Sequence, residues 1–518
     1  MTKRIIIGSR GSDLALWQAH FFQDLLTSHN VESEIKIITT KGDRIQHLSF
    51  DKIEGKGFFT KEIEAALINA EIDIAIHSHK DLETSQPPGL VIGGVSYREN
   101  PSEYLLIRKE CRDKTLPLGF KSGAVVGTSS ARRKSQVLEL RPDISLKDIR
   151  GNVPTRIQKL RDGEFDAIML AAAGVIRLEL DLSDLIVCEL DPRMFIPAAA
   201  QGVLAYQCRE SDEETKELLS QLNHPDVAEC IRIERTILSK FGGGCHIPIG
   251  VYAQNVDGQF HVRASFGKEW EQFGKRSRIK AQTGFEVLNK FEELKSQALP
   301  KNALITKTLD DSSFLRRACQ AHGIALEESP MIQIEPIPFT LKDTYDWVFF
   351  SSKNGVESYF LNSETASHTN VKYAAYGEAT ARSLSRYVEL ISYTGALSQP
   401  TEIAMDFAKV AEGSKVLFPT SDISLGSIPS ALPPEMATIL PVYKTVSKPE
   451  LLDQSFDAYI FTSPSNVRGF FENNGLPDSN SKLISIGEST SNELTSLGYV
   501  SEMADFAHDA ELFALVCS

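Results

Sequence analysis

Short apolar runs typical of buried strands alternate with helical patterns along most of this chain, and this alternation constrains the fold more than any other feature. It is characteristic of α/β domains with largely parallel sheets. In one such unit Ile63, Leu67 and Ala70 lie at helical spacing, and the alternating residues 72–76 then predict a strand. The 518 residues exceed the roughly 250 to 300 at which a single core stops growing, so several domains are expected.

A domain boundary is predicted near residue 300. The helical pattern of 285–294 ends there, Pro300 follows, and a new apolar run begins at 303–306. Behind this boundary the chain repeats itself after about 110 residues; the matching segments are 346–360 with 457–471, and 377–380 with 487–490. Two repeats are too few for a solenoid, so two α/β lobes flanking a cleft are predicted, with 335–338 and 441–446 as crossing segments.

Charge and cysteine content limit the class of protein. The net charge of −14 argues against a nucleic-acid or membrane-surface binder, because such proteins usually carry an excess of Lys and Arg. The seven scattered cysteines include no Cys-x-x-Cys pair and favour a reducing compartment. The N-terminus leads directly into a short apolar strand start, and no run reaches about 18 apolar residues. We therefore predict a cytoplasmic protein with no nucleic-acid or membrane partner.

A polar cluster, His77 to Asp81, follows the strand predicted over 72–76. In open α/β sheets this edge is where ligands bind, so the position itself favours a functional role. The alternative for Asp81 is a strand-end cap, the commoner role of an isolated Asp. His77-x-His79 and Cys245-His246 are reminiscent of metal sites, but neither has a third ligand at a sensible spacing, and no metal is predicted.

Arginines follow two further strand patterns. The run 124–127 leads into Arg132 and Arg133, and the run 146–149 leads into Arg150 and Arg156. Ser129 or Ser130 suits a helix N-cap and Pro154 a first helical turn, which places several arginines near helix N-termini. Cations there oppose the helix dipole, so we expect backbone amides and arginines together to hold an anion.

Seven motifs follow one another in the first part of the chain: 9–12 with 14–18, 55–62, 77–81, 127–133, 150–156, 201–202 and 242–245. Together they resemble those of porphobilinogen deaminase, also called hydroxymethylbilane synthase, over about residues 4–295. The resemblance implies two periplasmic-binding-protein-like α/β lobes plus a small α+β domain. The implied bounds within 1–299 are about 1–98 and 194–215 for lobe 1, 99–193 for lobe 2, and 216–299 for the cofactor-carrying domain.

The resemblance also implies a covalent dipyrromethane cofactor, one per chain, in thioether linkage to Cys245. The local sequence agrees, because Gly242 to Gly244 leave an unobstructed backbone beside a nucleophilic thiol. The alternative is a buried structural thiol. Asp81 is predicted to be catalytic, stabilising the cationic azafulvene formed when ammonia leaves, and Lys80 to help hold it ionised.

Substrate and cofactor together carry many carboxylates, which explains a need for guanidinium groups. The predicted cofactor-binding residues are Ser78, Lys80, Asp81, Ser129, Arg132, Arg133, Arg150, Arg156 and Cys245. The predicted substrate-binding residues in this half are Arg10, Lys56, Arg177 and Gln201. The alternative for any single Arg is a surface salt bridge. Lys56 lies in the charged, Gly-containing segment 43–60, which the resemblance makes a lid; its spacing does not fit a phosphate-binding P-loop. His79 is a departure from the family pattern, since Met is common there.

The second region carries motifs at 350–352, 377–380, 441–446, 461–464 and 486–490 that resemble uroporphyrinogen-III synthase. The implied lobes are 300–337 with 443–518 (lobe A) and 338–442 (lobe B). The predicted substrate-binding residues are Ser351, Ser352, Thr380, Thr462, Ser463, Ser489 and Thr490. Tyr443 is predicted to donate a proton to the departing hydroxyl, and its alternative is a buried tyrosine bridging two strands.

The two resemblances imply consecutive reactions. Four porphobilinogen molecules are joined to hydroxymethylbilane with release of ammonia, and this product is closed to uroporphyrinogen III with inversion of its last ring. A monomer acting on these two small molecules is expected. Two alternatives remain open: an active deaminase with an inactive or regulatory C-terminal module, and a cytoplasmic anion-binding protein.

Overall fold

The structure, a computed structural model, describes residues 4–40, 60–242, 247–341, 343–361, 371–395, 400–422, 428–448, 450–475 and 477–518. Its residues fall into two units: unit 1 contains those up to 112, 120–299 and 513–518, and unit 2 contains 113–119 and 300–512. Several mixed sheets with flanking helices confirm the predicted multi-domain α/β class. The finer lobe bounds stay predictions.

The described strands of unit 1 are β1 (Ile5–Ser9), β2 (Ser33–Ile37), β3 (Ile74–Ser78), β4 (Leu90–Val95), β5 (Glu103–Arg108), β6 (Val125–Gly127), β7 (Ser145–Lys147), β8 (Ala167–Ala171), β9 (Leu185–Leu190), β10 (Leu204–Arg209), β11 (Ile249–Val256), β12 (Gln259–Phe266) and β13 (Lys275–Ala281). Its described helices are α1 (Asp13–Ser28), α2 (Lys61–Ile68), α3 (Ala131–Leu140), α4 (Val153–Arg161), α5 (Ala172–Arg177), α6 (Glu213–Gln221), α7 (Pro225–Ser239) and α8 (Gly284–Ser296).

The first sheet of unit 1 has the strand order β2-β1-β3-β10-β4. Strands β1, β2 and β3 are parallel, and β10 runs antiparallel to both β3 and β4. Its core contains Ile7, Phe22 and Ile74, all fully buried, so the apolar faces of β1, α1 and β3 pack together. The parallel strands therefore bring the ends of β1 and β3 to one edge of this sheet.

Strand β3 differs from its prediction. It begins at Ile74 rather than 72 and includes His77 and Ser78, which pair with Ala205 and Leu204 of β10. The prediction that these two polar residues follow the strand was therefore wrong. The cause is a distant partner: β10 supplies Gln207, whose Oε1 lies 3.1 Å from His77 Nε2 and satisfies the buried ring.

The second sheet of unit 1 has the order β7-β6-β8-β5-β9, with β6, β7 and β8 parallel. Helices α3 and α4 follow β6 and β7 and begin at capping side chains. Ser130 Oγ accepts a hydrogen bond from the Arg133 amide, and Asn152 Oδ1 accepts one from the Thr155 amide at 2.9 Å. Pro154 lies in the first turn of α4, as predicted.

The third part of unit 1 is the antiparallel sheet β11-β12-β13, on which α7 and α8 pack. Fully buried Ile233, Val251 and Phe291 contribute to its core. Two buried ion pairs tie this part to the rest of the unit: Arg276 Nη2 lies 2.9 Å from Glu139 of α3, and Arg98 Nη2 lies 2.8 Å from Glu234 of α7.

The described strands of unit 2 are β14 (Asn302–Ile305), β15 (Ala325–Glu328), β16 (Ile332–Pro336), β17 (Trp347–Phe350), β18 (Lys372–Ala375), β19 (Tyr393–Thr394), β20 (Val416–Ser421), β21 (Ala437–Ser447), β22 (Ala458–Phe461), β23 (Lys482–Ser485) and β24 (Glu502–Met503). The helices that begin in it are α9 (Phe314–Ala321), α10 (Lys353–Phe360), α11 (Glu378–Leu384), α12 (Pro400–Val410), α13 (Pro464–Asn473), α14 (Glu488–Ser496) and α15 (Asp509–Cys517).

Unit 2 contains two sheets. One is parallel, in the order β15-β14-β22-β23-β24, and the other has the order β16-β21-β20-β17-β18-β19, with only the β16–β21 pair antiparallel. The segments predicted to cross between lobes form this antiparallel pair. Pro336 pairs with Tyr443, and Lys444 Nζ lies 2.8 Å from Glu335 Oε2.

The internal repeat of unit 2 is confirmed at the level of its elements. Each copy is a buried strand, a serine cap and a helix: β17 with α10, and β22 with α13. Ser352 and Ser463 occupy the equivalent cap positions and accept hydrogen bonds from the amides of Gly355 and Asn466.

In the parts of the chain that the structure describes, we find no helix with the length and apolar character needed to span a bilayer.

Candidate active sites

The first candidate site centres on the turn His79–Asp81, a single turn of 3₁₀-helix directly after β3. Asp81 is exposed there, and Lys80 is half-buried beside it. Lys80 Nζ donates a hydrogen bond to Gln201 Oε1 at 3.2 Å, while Gln201 Nε2 donates to the carbonyl of Pro101 at 2.8 Å. Lys80 is therefore linked through Gln201 to the two segments, 96–102 and 191–203, that connect the first and second sheets.

The charge on Lys80 depends on its neighbours. Burial lowers the pKa of its ammonium group to about 8, against the opposing attraction of Asp81; Arg133 lowers it further and Glu103 raises it. Lys80 and Asp81 come from the first sheet, and Arg133 and Glu103 from the second. The structure thus brings these four charges within electrostatic reach of one another.

Glu103, at the start of β5, is a residue of this site that the sequence analysis missed. Its two carboxylate oxygens accept hydrogen bonds from Arg132 Nη2 at 2.6 Å and Arg133 Nη2 at 2.7 Å, and its side chain is fully buried. Burial raises the pKa of this carboxyl group, but Arg133, Arg132 and Lys80 outweigh it and hold the value at about 2. The sequence did contain a signal for Glu103, because a charged residue stands at the start of a strand whose centre is apolar.

Arg132 and Arg133 therefore use part of their hydrogen-bonding capacity on partners within the protein. Besides Glu103, Arg132 Nη1 donates to the Ile196 carbonyl at 3.0 Å and Arg133 Nη1 to the Met169 carbonyl at 3.1 Å. Arg133 Nε, however, is buried and has no hydrogen-bond partner among the described residues. Their predicted contact with a ligand stays a prediction.

Arg156 lies in the same electrostatic environment. Its Nε donates to the Gly151 carbonyl at 2.8 Å. Burial lowers the pKa of this guanidinium to about 10, as do the nearby cations Arg133 and Arg150, whereas Asp81 raises it. Arg156 is thus within electrostatic reach of both the exposed carboxylate and two further predicted cofactor-binding arginines, and such an excess of positive charge suits a polyanionic ligand.

The other predicted residues of unit 1 make structural contacts. Ser129 Oγ donates to the Ile149 carbonyl at 2.9 Å and accepts from the Ile149 amide at 3.0 Å, joining the ends of two strand segments. Ser78 Oγ accepts from Gln18 Nε2 at 2.9 Å. Arg10 contributes to the low pKa of His77, which burial brings to about 4, so the His77 ring is neutral.

Arg177 is buried and lies over the ring of Trp17, 5.5 Å from its centroid. Its Nη2 donates to the Gly202 carbonyl at 2.7 Å, and its Nε, like that of Arg133, is buried with no hydrogen-bond partner in the described part of the chain. Burial lowers the pKa of Arg177, against the attraction of nearby Tyr97. The orphaned donors of Arg133 and Arg177 suit a ligand that carries carboxylates.

Two predicted residues, Lys56 and Cys245, lie outside the described residues. The chain is described up to Gly242, which has a positive φ of 83°, and again from Ile247. The attachment of a cofactor to Cys245 stays a prediction.

The predicted residues of unit 2 form two sets, each at the carboxyl ends of parallel strands. In the first set Tyr443 is buried in β21, and its Oη lies 3.3 Å from Ser352 Oγ, the cap of α10. Ser351 is exposed beside it, whereas Thr380 is buried within α11. The Tyr443–Ser352 contact links strand β21 to the end of β17, as the alternative for Tyr443 requires, and it leaves the acid role a prediction.

The second set follows β22 and β23. Thr462 Oγ1 donates to the Thr306 carbonyl at 2.9 Å, and Ser463 caps α13. Ser489 is exposed and Thr490 is buried in α14. Asn466 was not predicted from the sequence; its Nδ2 donates to Ser463 Oγ at 2.9 Å and its Oδ1 accepts from the Met331 amide at 2.9 Å.

These features define a class: multi-domain α/β proteins in which an exposed carboxylate stands among cations suited to a polyanionic small molecule. Comparison with family models is more specific. Residues 5–217 match "Porphobilinogen deaminase, dipyromethane cofactor binding domain", residues 228–290 match "Porphobilinogen deaminase, C-terminal domain", and residues 313–509 match "Uroporphyrinogen-III synthase HemD". The chain belongs to the porphobilinogen deaminase family and carries a uroporphyrinogen-III synthase domain behind the deaminase.

Individual relatives support the first assignment. The porphobilinogen deaminase of Chloroherpeton thalassium is 43% identical over 269 residues, which cover 52% of this chain and 84% of the relative. That of Chlorobium chlorochromatii is 45% identical with the same coverage. A solved uroporphyrinogen-III synthetase from Helicobacter pylori matches 41% of this chain and 96% of its own at 20% identity, with a TM-score of 0.31.

Proposed function

We propose that this chain catalyses two consecutive reactions. Unit 1 joins four porphobilinogen molecules into hydroxymethylbilane, and the synthase domain closes that linear product to uroporphyrinogen III with inversion of the last ring. The observation that carries the first assignment is the exposed Asp81 carboxylate within electrostatic reach of Lys80 and Arg156, which are themselves within reach of Arg133. The family matches support both reactions.

Each condensation needs charge stabilisation. The C–N bond of the aminomethyl group breaks as ammonia leaves, and a C–C bond forms as the accepting pyrrole carbon loses its proton. Positive charge develops on the incoming pyrrole, and an oriented carboxylate close to it lowers the barrier. We assign this role to Asp81, which can also accept or relay the proton, while Lys80 and the arginines bind the carboxylates.

The cofactor fits the residues present. When bound, dipyrromethane supplies the pyrrole end at which the product grows, and Cys245 is the proposed point of attachment. Its acidic side chains would meet Arg133, Arg150 and Arg156, and the unpaired Nε of Arg133 offers a donor that the protein does not use.

Intact mass of the purified protein tests this proposal. We expect the wild type to exceed its sequence mass by two pyrrole units, and to gain further pyrrole units when porphobilinogen is added. Cys245→Ser should lack both increments, whereas Cys188→Ser, in β9, should keep both. Asp81→Asn should keep the primer but gain substrate slowly. A wild-type chain with no added mass, before or after substrate, would favour the alternative of an anion-binding protein.

We assign the second reaction to Tyr443, within β21, and Ser352, just after β17. The distance of 3.3 Å between Tyr443 Oη and Ser352 Oγ places a phenol beside an alcohol. Such a pair can pass a proton to the hydroxyl group that leaves the substrate. Supplied with hydroxymethylbilane, wild type should give the inverted isomer in excess, and Tyr443→Phe should give mostly the uninverted one. Tyr459→Phe, which removes another buried hydroxyl, serves as control. Uninverted product from wild type would indicate an inactive C-terminal module.

Two further proposals concern the whole chain. We expect a monomer located in the cytoplasm. The location is supported by buried cysteines such as Cys208 and Cys230, whose thiol pKa burial raises to about 11. Such thiols are poorly reactive and need no oxidising compartment. Light scattering of the purified protein measures the oligomeric state directly.

A further inference from the structure

An arginine on helix α7 donates hydrogen bonds to the backbone of the turn that carries Lys80 and Asp81. Arg235, on α7, donates from Nη1 to the carbonyl of His79 at 3.2 Å and to that of Leu82 at 3.3 Å. Its Nη2 donates to the carbonyl of Glu83. One guanidinium thus contacts the backbone on both sides of the catalytic pair.

The turn has little internal support of its own. A hydrogen bond from the Leu82 amide to the His79 carbonyl closes it, at a long 3.3 Å, and the His79 amide donates to Val203 at 2.9 Å and fixes its beginning. A single 3₁₀ turn has poorer hydrogen-bond geometry than an α-helix. The position of its end, where Asp81 lies, therefore depends on the contacts with Arg235 and on the hydrogen bond from Lys80 to Gln201.

The helix that supplies Arg235 is itself fixed to the connecting segments. Glu234, the preceding residue, is fully buried and accepts from Arg98 Nη2 at 2.8 Å and from the Ala200 amide at 2.6 Å. Residues 98 and 200 belong to the two segments that connect the first and second sheets. One turn of α7 thus holds both segments through Glu234 and the catalytic turn through Arg235.

Arg235 remains a cation under physiological conditions. It is half-buried, and burial lowers the pKa of its guanidinium to about 10. A charged donor strengthens hydrogen bonds to carbonyl oxygens, and the planar group reaches several of them from one position. An ammonium group at this place would reach fewer carbonyls.

We propose that Arg235 is a positioning residue of the first reaction: it fixes the His79–Asp81 turn so that the Asp81 carboxylate stays in one place relative to the connecting segments. This inference rests on the proposed function of Asp81. Misplacing a catalytic group by about 1 Å can slow a reaction about a hundredfold, so loss of Arg235 should lower kcat far more than it raises KM.

The test combines Arg235→Lys and Arg235→Gln with a matched control on the same helix. Arg232 is exposed and pairs with Glu229, so Arg232→Gln removes an arginine without touching the turn. We expect the kcat of porphobilinogen consumption to fall about tenfold to a hundredfold in Arg235→Gln and less in Arg235→Lys. Arg232→Gln should keep wild-type kcat, and the variants should keep the covalent primer and close supplied hydroxymethylbilane at the wild-type rate.

A double-mutant cycle separates positioning from general stability. The rate at which the first porphobilinogen adds, followed by intact mass, is measured for Arg235→Lys in the wild-type and Asp81→Asn backgrounds. If Arg235 acts through Asp81, its effect should shrink to less than about threefold in the second background. An equal effect in both backgrounds would overturn the inference. If Asp81→Asn alone left the rate unchanged, the proposed function of Asp81 would fail instead.

Discussion

The ammonium group of Lys80 is next to Asp81 in the sequence and has a pKa of about 8 because it is buried. Lys80 therefore loses its positive charge in mildly alkaline solution. We predict that kcat of the first reaction falls as the pH rises through about 8. Lys80→Arg should be slower at neutral pH but should lose this alkaline decline, because a guanidinium stays protonated. The measurement is the pH profile of porphobilinogen consumption.

A surface lysine is the control for that profile. Lys216 pairs with Glu213 far along the chain from the site, and Lys216→Arg should keep the wild-type profile. An alkaline decline that persisted unchanged in Lys80→Arg would assign the titration to another group.

Loss of the Glu103 carboxylate should strongly destabilise unit 1. Glu103→Gln removes the carboxylate that compensates buried Arg132 and Arg133, and breaking a buried pair from one side costs about 3–5 kcal/mol. Urea unfolding followed by tryptophan fluorescence in a Trp347→Phe background measures this, since the remaining tryptophans, Trp17 and Trp270, both belong to unit 1.

Asp184→Asn provides the comparison for Glu103→Gln. It breaks the half-exposed pair with Arg161 and should cost less than about 1 kcal/mol. Equal losses in the two variants would show that the Glu103 cluster contributes no more than a surface ion pair.

His77 makes the stability of unit 1 depend on pH. Its pKa is about 4 in the folded protein and near 6.5 in an unfolded chain, so below pH 6.5 the unfolded chain binds a proton that the folded protein does not. Stability is therefore complete above pH 6.5 and is lost as the pH falls toward 4, by up to about 3 kcal/mol from this residue. Unfolding free energies at pH 7.5 and 5 should differ less in His77→Gln than in wild type. An unchanged difference would contradict this assignment.

Single residues were predictable from the sequence where their partners are close in the chain. Lys80 and Asp81 follow a recognisable strand, and Ser130 caps its helix by reaching three residues ahead. Glu103 was not predicted because its role depends on Arg132 and Arg133, about 30 residues away. These arginines come close to Glu103 only when β5 pairs with β8. Arg235 was missed for the same reason, since its partners precede it by about 150 residues.

At the scale of elements, the strand–cap–helix units were predictable because hydrophobic periodicity and capping residues are local signals. The β17–α10 and β22–α13 repeats show both signals. The limits of β3 were not predictable, because a late antiparallel strand, β10, extends it by pairing with His77 and Ser78. Pairing between distant strands sets a strand's end more than its own alternation does.

Helix α13 yields a prediction about packing. A Cβ added at Gly469 would lie 2.5 Å from the Met331 carbonyl oxygen, so this helix touches the backbone before β16. Gly469→Ala should destabilise unit 2 by about 1–3 kcal/mol, although Ala is the better helix former by about 1 kcal/mol. Urea unfolding followed by the fluorescence of Trp347, in a background with Trp17→Phe and Trp270→Phe, measures it. Ser496→Ala, at the exposed end of α14, should change stability by less than about 0.5 kcal/mol, and a stabilised Gly469→Ala would disprove the close contact.

At the scale of the whole molecule, charge is distributed unevenly. The chain carries a net charge of −14, yet Lys80 and four arginines, 132, 133, 150 and 156, act on one small region around Asp81 and Glu103. Overall negative charge discourages non-specific binding of polyanions, while the local excess of positive charge admits a small acidic ligand. Composition alone would have hidden this site, and the ordered motifs in the sequence revealed it.

The described residues of each site lie within one unit, since the Asp81 cluster belongs to unit 1 and the Tyr443 and Thr462 sets belong to unit 2. The two reactions should therefore be separable between molecules. Asp81→Asn alone should make little product from porphobilinogen, and Tyr443→Phe alone should release a linear product that closes without inversion.

An equimolar mixture of the two variants should restore uroporphyrinogen III as the main isomer, because hydroxymethylbilane can diffuse from one chain to the intact synthase of another before it closes spontaneously. The measurement is the isomer ratio by chromatography, at increasing total protein concentration. Diffusional transfer must become more complete as synthase concentration rises, since capture competes with a unimolecular side reaction. A mixture that kept yielding the uninverted isomer at every concentration, while Asp81→Asn closed supplied hydroxymethylbilane normally, would show that transfer must occur within one chain.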